Sequence, residues 1–123
     1  MTLEIGQTAE IARTYSEQDM QAFATLSGDS AQVPDTVPGP LIGGLFSYLL
    51  GVRLPGRGTN YLKQSLEFLV PAPVGEELTA SVTVTRLRPE KHLVDLETVC
   101  RTTDGTRICQ GRALVYVEDV GKA

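Results

Sequence analysis

The stretch Pro40-Leu41-Ile42-Gly43-Gly44-Leu45-Phe46-Ser47-Tyr48-Leu49-Leu50-Gly51-Val52 decides the fold. Leu41, Ile42, Leu45, Phe46, Leu49 and Leu50 cover most of a helical circumference, which predicts a buried helix. Pro40 suits its first position, where a missing N–H loses no bond. Gly43 and Gly44 lie inside it, each at up to ~1 kcal/mol relative to alanine. Close packing of sheet or ligand against the helix is expected there. The apolar run Leu41 to Val52 is too short to span a bilayer.

Downstream the chain reads as strand after strand. Leu62, Gln64, Leu66, Phe68 and Val70 share one face of Tyr61 to Val70. From Leu78 to Arg86, Leu78, Ala80, Val82 and Val84 alternate with Thr79, Ser81, Thr83 and Thr85, the pattern of a half-buried strand. Leu93 to Thr103 and Thr106 to Glu118 flank Asp104-Gly105, a two-residue hairpin signal that pairs Thr103 with Thr106. Counting outward sets Cys100 opposite Cys109. A disulfide is conceivable there, but two reduced thiols on a buried face are the favoured reading.

Upstream, Gly6 to Thr14 alternates weakly as a first strand. Ser16 and Asp19 form a capping-box pattern that opens a helix, with Met20, Phe23, Ala24 and Ser27 on one face and Gly28 at its end. A loop with Pro34, Pro38, Gly39 and Pro40 then leads into the apolar helix. The order predicts an α+β domain over residues 1–123, a five-stranded antiparallel sheet wrapped around a long buried helix. Its open edges favour edge-to-edge dimerisation.

The 123 residues suit one domain, and the net charge is −4. An acidic domain without a basic run argues against nucleic acid or an anionic membrane as partner. Met1 to Glu10 holds no apolar signal segment, so the expected compartment is the cytoplasm. One histidine and two cysteines leave little for a metal site, and no nucleotide-binding loop is present.

Chemistry must come from carboxylates, hydroxyls, amides or His92. Asp29 follows a helix end, where partial desolvation suits a carboxylate to general-base work. Gly39 stands at a helix N-terminus, whose unpaired amides can hold an oxyanion or thioester carbonyl. Ser47 lies two turns along that helix. On the residues alone the favoured readings are Asp29 as a loop acid and Ser47 as a satisfied core hydroxyl. His92 begins a strand in phase with Val94 and Leu96, and is read as a surface residue. Asp35 is read as a solvated loop acid.

At these residues the chain resembles a family. Gly6-Gln7, Leu26-Ser27-Gly28-Asp29, the helix Leu41 to Gly51, Tyr61-Leu62-Lys63-Gln64-Ser65-Leu66-Glu67-Phe68 and Pro71-Ala72-Pro73-Val74-Gly75-Glu76 look like MaoC-like (R)-specific enoyl-CoA hydratases, over nearly the whole chain. The resemblance implies a hotdog fold, usually dimeric. It implies acyl thioesters of CoA or acyl carrier protein as substrates in fatty-acid metabolism, with no resident cofactor. The family's loop reads Gly-Asp-x-Asn-Pro-x-His, with His-Gly before the helix. Its aspartate maps to Asp29, the carbonyl-polarising glycine to Gly39 and the helix serine to Ser47. The catalytic histidine position holds Pro34, and Ala31, Gln32 and Pro38 replace the asparagine, the proline and the second histidine. Eight residues, Ser30 to Val37, stand where the family usually has a longer helical insert. In a hotdog protein Arg53, Arg57 and Lys63 could meet CoA phosphates.

Three readings follow. The chain binds an acyl thioester as a hydratase with weakened chemistry. It is a non-catalytic subunit paired with a histidine-bearing homologue. Or it is a thioesterase that works with Asp29 alone.

Overall fold

The structure, a computed structural model, describes residues 3–26, 28 and 34–118. The elements are β1 (Thr8–Thr14), α1 (Glu17–Leu26), α2 (Gly39–Tyr48) with a π-helical continuation Leu49–Arg53, β2 (Thr59–Phe68), β3 (Glu77–Arg88), β4 (Leu93–Thr102) and β5 (Arg107–Val117). The strands form one antiparallel sheet in the order β1-β3-β4-β5-β2. It curves around α2, as expected. β1 and β2 are therefore its edges.

Register explains the core. Ala80 pairs with Cys100 and Cys100 with Cys109; Val82 pairs with Thr98 and Thr98 with Gly111; Val84 pairs with Leu96 and Leu96 with Ala113. All of these except Gly111 are fully buried. They form one cluster with Ile42, Leu45, Phe46, Leu49 and Leu50 of the helix. Each such aliphatic or aromatic side chain contributes about 1.5–3 kcal/mol.

The capping box forms as the sequence predicts. The Ser16 amide donates to Asp19 Oδ2 at 2.8 Å, and the Asp19 amide donates to Ser16 Oγ at 3.1 Å. These bonds hold the Asp19 carboxyl below its ordinary value. Met20 and Ala24 turn into the core, and Ser27 lies outside the described residues. Gly28 closes the helix with φ 82°, a left-handed conformation suited to glycine.

Several expectations are corrected. β1 begins at Thr8 rather than Gly6, and α2 begins at Gly39, so Pro40 is its second residue. The helix is not buried all round: Gly44, Ser47, Tyr48 and Gly51 face outward. Nothing lies within 4 Å of a Cβ built at Gly43 or Gly44, so packing of the sheet against the helix does not account for them. A bulge interrupts β2 between Tyr61 and Lys63, so Tyr61, opposite Val115, comes onto the face of Gln64, Leu66 and Phe68.

The hairpin turn is longer than two residues. The Gly105 amide donates to Thr102 O and the Thr102 amide to Thr106 O, with Gly105 at φ 89°. A bulge beyond Cys100 restores the register, so Cys100 and Cys109 still face each other. Both are free thiols. Burial, then the neighbouring Cys109, pushes Cys100 up to about 11.

Gly111 holds β5 against β2. A Cβ there would overlap the Ser65 carbonyl oxygen. A glycine inside a strand pattern is the sequence signal for such an approach. Among the described residues no helix is long and apolar enough to cross a membrane.

Candidate functional site

The site is built at the N-terminus of α2. Pro38 caps the helix in extended backbone, φ −62° and ψ 144°, and no side chain bonds to the first turn. Pro40 brings no N–H, and the Leu41 amide donates to Pro38 O at 3.1 Å. The Gly39 amide has no acceptor among the described residues. It is a free donor at the positive end of a helix dipole.

The surroundings of Gly39 are apolar and fixed. A Cβ at Gly39 would lie 3.1 Å from Phe68 Cζ, so glycine lets the end of β2 close onto the helix. The entering chain is tied down by Val37 N–H donating to Ala72 O at 2.9 Å and by a bridge between Thr36 and Pro73. A groove of about 380 Å³ runs beside Phe68, with Ile42 one turn into α2 on its wall. Phe68 was expected only as a strand-face residue; its contact with Gly39 depends on long-range closure that local periodicity does not report.

On the other flank, Tyr15 ties β1 to the helix. Its Oη donates to Leu41 O at 3.3 Å, and Arg13 lies 4.9 Å over its ring. Burial raises the Tyr15 phenol, and Arg13 partly opposes that.

The predicted site residues separate. Asp29 lies outside the described residues. Ser47 is exposed rather than a core hydroxyl, about 12 Å along the axis from Gly39 at 1.5 Å per residue. Asp35 is exposed. Arg53 ends the π-helical turn and Arg57 lies in the loop beyond, both exposed. Lys63 does not join them. Its partner is Leu114, and it faces a depression of about 420 Å³ with Ser65 and Arg112 on the side of the sheet away from α2. That is the polar face of the sheet, the one expected from its alternation with Gln64 and Leu66.

His92 also departs from expectation. It does not begin the strand but caps a 3-10 turn, Pro89–Lys91, with φ 58° and ψ 34°. Its Nδ1 lies 2.7 Å from Glu118 O, and its ring centroid lies 5.4 Å from that of Tyr116. These contacts fasten the β3–β4 turn to the end of β5. Among the described residues no group of three or more His, Cys, Asp or Glu could hold a metal ion.

The geometry supplies one free backbone donor beside an apolar groove. A carbonyl placed on it would be polarised as negative charge develops on oxygen. No histidine, lysine or carboxylate lines the groove among the described residues.

No family model matches the chain. An (R)-specific enoyl-CoA hydratase of Rhodospirillum rubrum is 42% identical, covering 91% of this chain and 86% of the relative. That alignment runs over 125 positions, more than the chain has residues, so the relative carries residues within it that this chain lacks. The structure of an (R)-hydratase from Aeromonas caviae involved in PHA biosynthesis superposes with a TM-score of 0.83 at 39% identity, covering 94% of this chain and 97% of that one. The ChsH1-ChsH2 complex of Mycobacterium tuberculosis shares the fold, with a TM-score of 0.76 at 18% identity over 95% of this chain and 99% of that one.

Proposed function

The chain belongs to the MaoC-like (R)-specific enoyl-CoA hydratase family, and from that premise we propose that it binds acyl thioesters of CoA or acyl carrier protein with their carbonyl on the Gly39 amide. The observation that carries this reading is the unpartnered Gly39 donor at the head of α2. Asp29 is the carboxylate that activates water. Ser47, on the exposed face of α2, is the supporting hydroxyl. Arg53 and Arg57 remain the cations nearest the end of the helix for the carrier's phosphates, and Lys63 is left out of that group.

Hydration needs an acid–base pair, and Pro34 occupies the histidine's place. The loss of one member commonly costs ~10²–10⁴-fold. Residual hydration through Asp29 is therefore slow. Hydrolysis of the thioester needs only one carboxylate and is the competing outcome.

We further propose that the chain works as a cytoplasmic dimer joined along β2. Its outer edge is unpaired, and Tyr61, Leu62 and Phe68 on it are substantially exposed. The partner is a second copy or a homologue that carries the histidine.

A paired assay tests the reading. Crotonyl-CoA is followed for hydration by loss of enone absorbance and for hydrolysis by thiol release. Slow activity that disappears in Asp29→Asn is expected. Activity indifferent to that change removes Asp29 from the mechanism. Neither reaction, with a second hotdog chain co-purifying, leaves the subunit role.

A further inference from the structure

Resting on that thioester reading, we infer that Tyr15 is a positioning residue: its hydroxyl, bonded to the first turn of α2, fixes the direction in which the Gly39 amide points. Tyr15 is 5% exposed and stands between the end of β1 and Ser16, whose hydroxyl caps α1. Its Oη donates to Leu41 O, two residues beyond Gly39. A carbonyl oxygen has two lone pairs, so it can take the phenol besides its own helical donor. Burial raises the Tyr15 phenol, which therefore stays protonated and a donor at neutral pH.

The bond closes a ring of hydrogen bonds around the head of α2. The Gly75 amide donates to Tyr15 O at 2.7 Å, and Tyr15 Oη donates to Leu41 O at 3.3 Å. The Leu41 amide donates to Pro38 O at 3.1 Å, and the Val37 amide donates to Ala72 O at 2.9 Å. Ala72 and Gly75 belong to the same short connection between β2 and β3, so the ring returns to its start. The other three links are main-chain bonds. The Tyr15 hydroxyl is the one side-chain link, and so the one that a substitution can remove.

Gly39 sits inside this ring. On the β2 side it is held by packing, since a Cβ there would lie 3.1 Å from Phe68 Cζ. Apolar packing is not directional. The phenol adds a directional tether to β1. A donor turned away from its acceptor weakens steeply, and polarising a carbonyl depends on donors fixed before the reaction. Tyr15 also precedes α1, whose end leads in sequence to Asp29. One side chain thus joins the root of the segment carrying the carboxylate to the turn carrying the amide.

The test uses the full chain and sorboyl-CoA, a conjugated dienoyl thioester that absorbs at longer wavelength when its carbonyl oxygen is polarised. The unmodified protein should shift that absorbance to the red on binding. Tyr15→Phe should bind within about threefold of the same affinity and lose about half of the shift or more, and kcat for crotonyl-CoA hydration should fall about tenfold with KM little changed, the scale of one hydrogen bond. Arg13→Gln removes the cation over the ring and leaves the hydroxyl, so the shift and kcat should both be kept. A Tyr15→Phe protein that melts lower yet retains the full shift and kcat has lost only stability, which overturns the positioning role. An equal loss of shift in Arg13→Gln overturns it too, because the hydroxyl would not be the cause. Binding without any red shift in the unmodified protein takes the carbonyl off the Gly39 amide, and no binding at all defeats the thioester reading; this inference falls with either.

Discussion

β4 and β2 are each ten residues long and lie on either side of β5, yet they live in different environments. In β4 seven of ten positions are buried, including Asp95 and Val99 on the face away from the helix. In β2 eight are exposed. A strand paired on both edges is fixed by its neighbours. A strand with one free edge is unfinished until something pairs with it. The Gly39 amide that the proposed function uses, and the Phe68 ring against it, lie on the unfinished side. The scaffold lies on the other.

The seam between the two regions should break most easily at Gly111. In Gly111→Val the new side chain meets Ser65 backbone, which cannot move aside, so a loss of at least about 3 kcal/mol or failure to fold is expected. Chemical denaturation reads it; a loss below 1 kcal/mol would mean that β2 is held loosely.

Thiol chemistry sharpens the contrast next. Cys100 on β4 is pushed up to about 11 by burial, so it stays protonated until the pH approaches that value. In Ser65→Cys the introduced thiol on β2 is exposed and keeps an ordinary acidity. Iodoacetamide at pH 8 should label it at least ~100-fold faster than Cys100, as judged by mass spectrometry of digested peptides.

Thr98 is an imperfection within the buried region. It is 0% exposed, and its Oγ1 has no hydrogen-bond partner. Thr98→Val keeps the shape and removes the unsatisfied group, so a gain of about 1 kcal/mol is expected in thermal unfolding. Destabilisation would show that the hydroxyl is used. The smallest effect belongs to Leu62, 51% exposed on the bulge of β2. Leu62→Ser should change the stability of the isolated chain by less than about 0.5 kcal/mol. A larger loss would mean that this edge is already covered in solution.

The same division separates what the sequence made legible from what it hid. Leu78 to Val84 could be read because alternation reports one buried face, and that face exists within the chain itself. The pairing of Cys100 with Cys109 was legible although the turn was misjudged, since the longer turn and the bulge cancel in the register. The exposure of Ser47 was hidden, because apolar residues around most of a helix do not say which side the sheet leaves open. The position of Tyr61 was hidden by a single bulged residue, which brings it onto the face of Gln64, Leu66 and Phe68. The free donor at Gly39 was legible from Pro38-Gly39-Pro40, whereas its contact with Phe68 joins residues far apart in sequence. Asp29 lies outside the described residues, so its part stays with the proposal.

The central claim is an intact thioester-binding scaffold that lacks the second acid–base group. It is tested most directly by kcat/KM for crotonyl-CoA hydration, measured side by side with the Rhodospirillum rubrum hydratase. The prediction is a rate ~10²–10⁴-fold below that relative. Parity between the two would contradict it, because Pro34 would then have replaced the histidine without consequence.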